Sequence, residues 1–305
     1  MRESTKDIIA IFCSDLHLSI KPPLWRSNEP DWFAAMERPL KELVNLQKKY
    51  ECPVYCAGDI FDKWNSPPEL INFALDCLPN MIAVPGQHDL PNHNQKEIEK
   101  SAFWTLVKAK KITYIQKPCF VSSKLHFNII PFPYGKPITP IKRSREAITI
   151  AIAHQYVWTN NYSYESAPID LHIQHLKKQL TGYDLVIFGD NHKGFLTRLG
   201  KTIIFNCGGF MRRKSDEVNY TPMVGLLSIK DGIIPRTLDT SLDKYLEIQK
   251  GKIETESLYM EDFFKELEKL GDTPLDFTET MKQYLNKKHV NKKVQLIITQ
   301  AMGLT

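Results

Sequence analysis

The sequence predicts a layered α/β sandwich, and three observations indicate it. Short runs of β-branched and aromatic residues recur between residues 7 and 229. Several of these runs are almost entirely apolar, which is typical of strands covered on both faces. Helical patterns separate the early runs, whereas the later runs follow one another more directly. This order of elements favours stacked sheets with helices outside them over a simple doubly wound sheet.

Eight runs have the composition of strands. They are Asp7–Cys13, Pro53–Ala57, Met81–Val84, Lys124–Pro131, Ala147–Ala153, Asp184–Phe188, Lys201–Asn206 and Met223–Ile229. The intervening segments Asp31–Tyr50, Pro68–Leu78 and Gln95–Lys111 have the spacing of amphipathic helices. In the first of them, Pro39 predicts a kink.

The composition and periodicity of the sequence change beyond about residue 240. Three charged, amphipathic patterns, Ser257–Leu270, Pro274–His289 and Asn291–Met302, predict helices with no strand between them. We therefore expect a main domain at residues 1–240 and a helical C-terminal segment at residues 241–305. This segment either packs on the main domain or serves as a docking or dimerisation element.

Composition excludes several classes of protein. With 42% hydrophobic and 25% charged residues in 305, the chain is typical of a globular protein and not of a disordered one. No apolar run is long enough to span a bilayer, and the first residues lack a secretory signal. The six cysteines form no C-x-x-C pair, which favours buried, reduced thiols and a cytoplasmic location over a disulfide framework. A net charge of +5 is compatible with a nucleic-acid partner.

Metal-binding residue types follow five of the predicted strands directly. They are Asp15 and His17, Asp59 and Asp62, Gln87 to Asp89, His154, and Asp190 with His192. Strand ends in an α/β fold lie at one edge, where such folds place their sites. So many carboxylates and imidazoles at one edge would stay unsatisfied without cations, so we expect two divalent ions bridged by a shared carboxylate.

Spacing gives two further expectations. Asp15 and His17 would lie on the same side of an extended segment and bind one ion together. The glycines before Asp59, Gln87 and Asp190 would let the backbone turn sharply where each strand ends.

The ordered motifs D-x-H, G-D-x-x-D, G-Q-H-D, a single His and G-D-x-H resemble those of the calcineurin-like metallophosphoesterases. The resemblance covers about the first 230 residues and implies a four-layer α/β/β/α sandwich. Ser66-Pro67-Pro68 and the Pro131–Tyr134 segment are further similar to SbcD-type DNA-repair exonucleases. The Gln87 and Asp190 variants resemble phage-encoded members of that group.

The resemblance implies a role for each position. Asp15, His17 and His192 would hold the first ion, Asp59 would bridge, and Gln87, His154 and Asp190 would complete the second. His88 would act beside the scissile phosphate as general acid or transition-state stabiliser, with Asp89 orienting its ring. Asp62 is interpreted as a structural hydrogen-bond acceptor.

Two positions depart from the family pattern, which has Asn at Gln87 and His at Asp190. Both fall on the same predicted ion, so we interpret them as a matched rearrangement that favours Mn²⁺, with Mg²⁺ as the alternative. The competing interpretation is that the second ion is lost and the chain is a non-catalytic subunit.

Substrate class must come from the rim of the site. His93, Lys193, Arg212 and Arg213 are candidate contacts to a phosphodiester backbone. Glycines 208 and 209 would let backbone amides approach a phosphate. These features and the resemblance favour DNA as substrate over a nucleotide or another small phosphoester. The resemblance also implies an SbcC-type ATPase partner, or a homodimer, docking through residues 257–302, and a location in a bacterial cell or a phage-infected host. The lack of a bilayer-spanning run predicts no membrane association.

Overall fold

The computed structural model describes residues 7–122, 125–144, 146–159, 163 and 167–246. The helices expected beyond residue 257, and the docking segment assigned to them, lie outside these described residues. The boundary expected at residue 240 therefore stays a prediction.

Six strands form the first sheet. They are β1 (Ile8–Cys13), β2 (Val54–Cys56), β3 (Met81–Ala83), β4 (Ile112–Tyr114), β11 (Met223–Ser228) and β12 (Gly232–Thr237), in the spatial order β12-β11-β1-β2-β3-β4. The pairs from β1 to β4 are parallel, and β11 and β12 add antiparallel strands on the other side of β1. The carboxyl ends of β1, β2 and β3 therefore meet at one edge.

A second six-stranded sheet has the same parallel centre. Its strands are β5 (Cys119–Val121), β6 (Phe127–Phe132), β7 (Ile148–His154), β8 (Leu185–Gly189), β9 (Phe195–Leu199) and β10 (Thr202–Asn206), in the order β5-β6-β7-β8-β10-β9. Parallel pairing runs from β6 to β10, and both edge strands are antiparallel to their neighbours.

The two sheets stack face to face through an apolar layer. Along β1, Ala10 and Phe12 belong to the core between the sheets, while Ile11 and Cys13 belong to the core beneath the helices. This alternation follows from the two-residue period of a strand. The stacked sheets confirm the predicted fold class.

Three α-helices cover the outer face of the first sheet. They are α1 (Trp32–Tyr50), α2 (Pro68–Cys77) and α3 (Ala102–Lys108). Asp31 caps α1 by accepting a hydrogen bond from the amide of Ala34, and the 19-residue helix continues through the buried Pro39. The predicted helix over Gln95–Lys111 is instead a 3₁₀ helix (Gln95–Lys100) followed by α3, because Ser101 caps a new helix there.

The outer face of the second sheet has a different cover. Its apolar residues pack against Ile173, Leu176 and Leu180, which come from a segment with the 3₁₀ turns Ile169–Leu171 and Ile173–Leu176. Within the described ranges this fourth layer holds no α-helix. No helix among those residues is both long enough and apolar enough to cross a bilayer.

The four strands missed from sequence, β4, β5, β9 and β12, all lie at the edges of their sheets. Edge strands pack on fewer neighbours, so their sequences are less apolar and carry a weaker strand signal. All six cysteines are free; four are buried as expected, whereas Cys119 on β5 is exposed.

Candidate metal centre

All five polar motifs lie at carboxyl ends of parallel strands. The first sheet contributes the residues after β1, β2 and β3, and the second contributes His154 at the end of β7 and the residues after β8. Main-chain hydrogen bonds join the loops: the amide of Asp15 donates to Gly58, and that of His17 donates to Asp59. The carboxyl ends of strands from both sheets therefore supply one cluster of side chains.

The backbone at the cluster is not extended. Asp15, His17 and Asp59 have φ of 52°, 44° and 54°, and Asp190 has φ of 83°. These values lie in the left-handed region, which non-glycine residues adopt rarely. The expectation of an extended Asp-x-His segment is thus wrong, because Asp15 and His17 both have left-handed backbone.

The three glycines also serve a different purpose from the one expected. Only Gly58 has a positive φ, of 104°, and a Cβ there would meet His154 Nδ1 at 2.4 Å. A Cβ on Gly86 would lie 2.1 Å from Asp59 Oδ1, and one on Gly189 would lie 2.7 Å from the carbonyl oxygen of Ala57. Close approach of neighbouring groups, more than chain turning, requires glycine at these positions.

The first group of ligand-type atoms comes from Asp15, His17 and His192. The Nε2 atoms of the two histidines lie 3.0 Å apart. Asp15 Oδ1 lies 3.8 Å from His17 Nε2 and 3.9 Å from His192 Nε2. These are the three residues that the family resemblance assigned to the first ion.

A second group combines Asp15, Asp59 and His154. Asp59 Oδ2 lies 3.3 Å from His154 Nε2 and 3.6 Å from His17 Nε2, so this carboxylate stands between the two groups. This is the position expected of a bridging ligand.

Gln87 and Asp190, the two unusual positions, are in direct contact. Gln87 Nε2 donates a hydrogen bond of 2.8 Å to Asp190 Oδ1. The backbone amide of Asp190 also donates to both carboxylate oxygens of Asp15 at 3.1 Å. The structure therefore brings all seven expected ligands to one edge.

Two of the histidines are oriented by groups behind them. His154 Nδ1 donates to the carbonyl oxygen of Ala57 at 2.6 Å, and His192 Nδ1 donates to Glu217 Oε1 at 3.2 Å. Such partners fix the tautomer and leave a lone pair on Nε2, as is typical of metal-binding histidines. Glu217 was missed from sequence, because nothing near it in the chain marks a carboxylate as the partner of a histidine 25 residues away.

Unpartnered atoms show that this donor set fits cations. Within the described part of the chain, Asp59 Oδ2, His154 Nε2 and Gln87 Oε1 are buried and have no hydrogen-bond partner. Nδ1 of His154 is bonded to Ala57, so Nε2 is the ring atom that faces Asp59 Oδ2, and a cation between these two atoms would be bound by both. Imidazole, carboxylate and amide ligands suit divalent first-row metals such as Mn²⁺, and the oxygen ligands among them also suit Mg²⁺.

Burial and mutual charge shift the acidities of the cluster. Burial raises the pKa of Asp15 to about 6, against the opposing effect of His154 and His192, and burial lowers the pKa of His17 to about 3. For Asp59, burial acts to raise the pKa, but the neighbouring His154 and His17 outweigh it and hold the pKa below its usual range.

The same balance governs the histidine–carboxylate pair behind the cluster. Burial acts to lower the pKa of His192, but the bond to Glu217 and the charge of Asp15 raise it overall. Glu217 shows the converse, since its bond to His192 outweighs burial and lowers its pKa. Each member therefore stabilises the charge of the other.

His88 lies beside the first group, with its ring centroid 4.9 Å from that of His17. Its Nδ1 donates to the carbonyl oxygen of Asp62 at 2.9 Å. The expectation that Asp89 orients this ring is wrong. The buried Asp89 carboxylate instead accepts from the amides of Ile60, Phe61 and Gly86.

The candidate rim residues divide into two kinds. His93 is exposed, and its ring makes an edge contact with Tyr134 at 5.8 Å. Lys193 is half-buried, with its Nζ 3.4 Å from Asp216 Oδ2. Both remain candidate substrate contacts.

Arg212 and Arg213 are held by protein groups. Arg212 donates to the carbonyl oxygen of Tyr220 and to the hydroxyl of Tyr245, while Arg213 donates to the carbonyl oxygen of His17 and to Asp62. Each arginine thus has partners within the protein, and these contacts give no support to the expectation that the two side chains grip a phosphate.

The glycine pair after β10 is also committed to the protein. The amide of Gly209 donates to the carbonyl oxygen of His192 at 2.9 Å. A Cβ on Gly208 would meet the Tyr220 hydroxyl at 2.2 Å. This pair therefore packs against the loop of His192, and its expected approach to a phosphate finds no support in these contacts.

Many solved structures are similar to the chain, including the following three. An archaeal phosphodiesterase is 14% identical, over 78% of this chain and 98% of its own, with a TM-score of 0.35. The phosphopantetheinyl hydrolase of Mycobacterium tuberculosis is 12% identical, over 71% and 95%, with a TM-score of 0.44. A 5′-nucleotidase precursor from Thermus thermophilus is 11% identical, over 75% and 53%, with a TM-score of 0.43.

No curated protein matches the sequence. The family profile described as calcineurin-like phosphoesterase does match, over residues 10–194. These residues make up more than half of the chain and contain all five polar motifs, from Asp15 to His192. The chain therefore belongs to the calcineurin-like phosphoesterase family.

Proposed function

We propose that this protein is a phosphodiester hydrolase that cleaves DNA at a site holding two divalent metal ions. One observation carries the proposal: two groups of ligand atoms share Asp15, and Asp59 stands between them with an unpartnered buried oxygen. In the second group, neither Asp59 Oδ2 nor His154 Nε2 has a hydrogen-bond partner.

Each ion has a proposed set of ligands. Asp15, His17 and His192 would hold the first, and Gln87, His154 and Asp190 the second, with Asp59 shared. Bound divalent ions would neutralise phosphate oxygens and lower the pKa of a coordinated water. The many oxygen donors of the second set support Mn²⁺ as the working ion, with Mg²⁺ next.

The chain itself supplies orientation and a proton donor. Because His88 Nδ1 donates to the Asp62 carbonyl, the ring is fixed in place and Nε2 is the atom available for proton exchange. We assign His88 the protonation of the leaving alkoxide. Asp89 supports this arrangement indirectly, since it ties the loop after β3 to the amides after β2.

The DNA substrate is supported by the resemblance to SbcD-type nucleases and by the net charge of +5. A DNA substrate would place the protein in the cytoplasm of a bacterial cell or of a phage-infected host. An SbcC-type ATPase, or a second copy of the chain, is the proposed partner of residues 257–302. Co-purification with and without these residues tests that proposal.

The test of function compares substrates under one metal condition. With Mn²⁺, we expect cleavage of single-stranded, nicked or duplex DNA at a higher kcat/KM than that of a nitrophenyl phosphodiester, and no activity in chelator. Asp59→Asn should abolish the metal-dependent cleavage. A higher kcat/KM on nucleotides or small phosphoesters would overturn the assignment of DNA as substrate. A wild-type chain with no turnover on any phosphoester would overturn the proposal that the protein is an enzyme.

A further inference from the structure

Residues 213–217, which follow β10, contact both histidines of the first ligand group. We call this segment the histidine clamp. Its contacts lie at the Nδ1 side of His192 and at the backbone of His17, away from the Nε2 atoms that lie 3.0 Å apart. The clamp is thus placed to orient these rings without occupying the metal site.

Glu217 forms one half of the clamp. It is 2% exposed, and Oε1 accepts from His192 Nδ1 at 3.2 Å. Its other oxygen accepts from the amides of Arg213, at 2.5 Å, and Lys214, at 3.0 Å. A buried carboxylate with three donors is rigid, so it holds His192 in the Nδ1–H tautomer.

Arg213 forms the other half. Its guanidinium donates to the carbonyl oxygen of His17 and, at 2.7 Å, to Asp62 Oδ1. That same oxygen lies 3.6 Å from His17 Nδ1. Arg213 therefore acts on His17 twice, through the strained backbone at φ 44° and through Asp62 beside the ring.

The clamp is anchored on its far side. Arg26, which is 1% exposed, donates to the carbonyl oxygen of Arg212 at 2.9 Å. Arg212 itself bonds to Tyr220 and Tyr245. Since residues on both flanks are fixed, the positions of Arg213 and Glu217 are set by the fold.

We propose that Arg213 and Glu217 are positioning residues that orient His17 and His192 and thereby set the affinity of the first metal ion. This inference rests on the proposed function in one respect only: both identify the same cluster of side chains as the metal site. Arg213 would thus serve the metal centre from within the protein.

Metal titration of the full chain tests the proposal. Calorimetry with Mn²⁺ should show that Glu217→Gln and Arg213→Met each weaken one of two binding events about 10- to 100-fold, with the other within about twofold. Lys214→Met, which removes an exposed charge from the same segment, is the matched control and should bind both ions like the wild type. Circular dichroism checks that each variant is folded; Arg213→Lys, which keeps the charge but not the forked geometry, replaces Arg213→Met if that variant unfolds.

A double-variant cycle separates the route through Asp62 from a general charge effect. If Arg213 acts through Asp62, then Asp62→Asn combined with Arg213→Met should weaken the first ion no more than the worse single variant. The cobalt-loaded wild type and Glu217→Gln should differ in their visible absorption, because His192 changes its orientation.

The outcomes are distinct from those for catalysis. Unchanged Mn²⁺ affinity in both folded clamp variants, or equal weakening in Lys214→Met, overturns the positioning roles and leaves the hydrolase proposal in place. Conversely, a wild type that binds two ions with the expected variant pattern but cleaves no phosphoester overturns only the hydrolase. Failure of the wild type to bind any ion overturns both.

Discussion

At the scale of residues, the ligand cluster is built on strained backbone. Asp15, His17 and Asp59 lie in the left-handed region. For a non-glycine residue this conformation costs about 1–3 kcal/mol of folding free energy each. The main-chain hydrogen bonds from Asp15 to Gly58 and from His17 to Asp59 hold them there. The fold consequently sets these side chains in position, and ions would bind to a preformed arrangement.

Gly58 provides the clearest test of how tightly this cluster is packed. Gly58→Ala should lower the free energy of unfolding by about 1–3 kcal/mol more than Gly200→Ala. Both glycines have positive φ, but only at Gly58 would a Cβ meet a side chain, 2.4 Å from His154 Nδ1, whereas Gly200 faces open space. Urea denaturation of both variants measures the difference, and equal losses would contradict it.

His88 should affect turnover and not metal binding. We expect His88→Ala to lower kcat on DNA by about 10²- to 10⁴-fold, because it removes the proposed proton donor, while Mn²⁺ affinity stays within about twofold of the wild type. His126→Ala is the control, because it removes an exposed histidine that is not among the residues of the proposed site. Parallel loss of Mn²⁺ affinity would instead make His88 part of the metal site.

At the scale of elements, the segment after β12 returns to the loop before α1. Arg26 in that loop is buried and pairs with Glu29 at 2.5 Å and Asp243 at 2.9 Å. Its guanidinium also lies between the rings of Trp32, at 5.6 Å, and Tyr245, at 5.3 Å. This buried pairing fixes the end of the described chain against α1.

The pairing gives a pH-dependent stability. Burial acts to raise the pKa of Glu29, but the amide of Lys244 and the Arg26 guanidinium outweigh it and lower the pKa below its usual 4.5. A lowered pKa stabilises the folded state above the unfolded value, and this contribution is lost as the pH falls through the folded value. Glu29→Gln should therefore cost about 2 kcal/mol at pH 7, and the difference from wild type should shrink below about pH 4.5.

Glu97→Gln is the control for this effect, because its pair with Lys100 lies at the surface. Denaturant unfolding between pH 3 and pH 7, in a chelating buffer, measures both variants against the wild type. A Glu29→Gln deficit that is constant across this range would show that packing, and not charge, holds the segment.

At the scale of the whole molecule, the two sheets meet at the proposed metal centre. Asp15, His17, Asp59 and Gln87 come from the first sheet, whereas His154, Asp190 and His192 come from the second. Ions held between these sets would link the sheets directly. Metal binding would therefore be coupled to global stability in this architecture.

Added metal should stabilise the entire described domain. At a Mn²⁺ concentration one hundred times the dissociation constant, each occupied site adds about 2.7 kcal/mol to the free energy of unfolding. Thermal melts with and without chelator measure this as a rise in Tm. Asp59→Asn, which removes the shared ligand, should show a much smaller rise; an equal rise in both proteins would indicate binding elsewhere.

The site residues were accessible from sequence wherever they follow a buried strand. Asp15, Asp59 and His154 could be assigned because an apolar run fixes where its strand ends, and so places the next polar side chain at the edge of the sheet. Glu217 could not, since its only mark is a contact with a ring 25 residues distant. Arg213 was predicted to contact a phosphate because a run of three basic residues has the same sequence whether its side chains bind groups within the protein or a ligand outside it.

The local sequence by itself determined the stacked α/β architecture, the central strands and the edge at which the ligand residues gather, because burial periodicity and strand ends are properties of short segments. Tertiary structure alone decided which groups face one another: the pairing of Gln87 with Asp190, the committed arginines and the carboxylate behind His192. These contacts join residues as much as 196 positions apart, and no local pattern encodes the distance at which two distant segments meet.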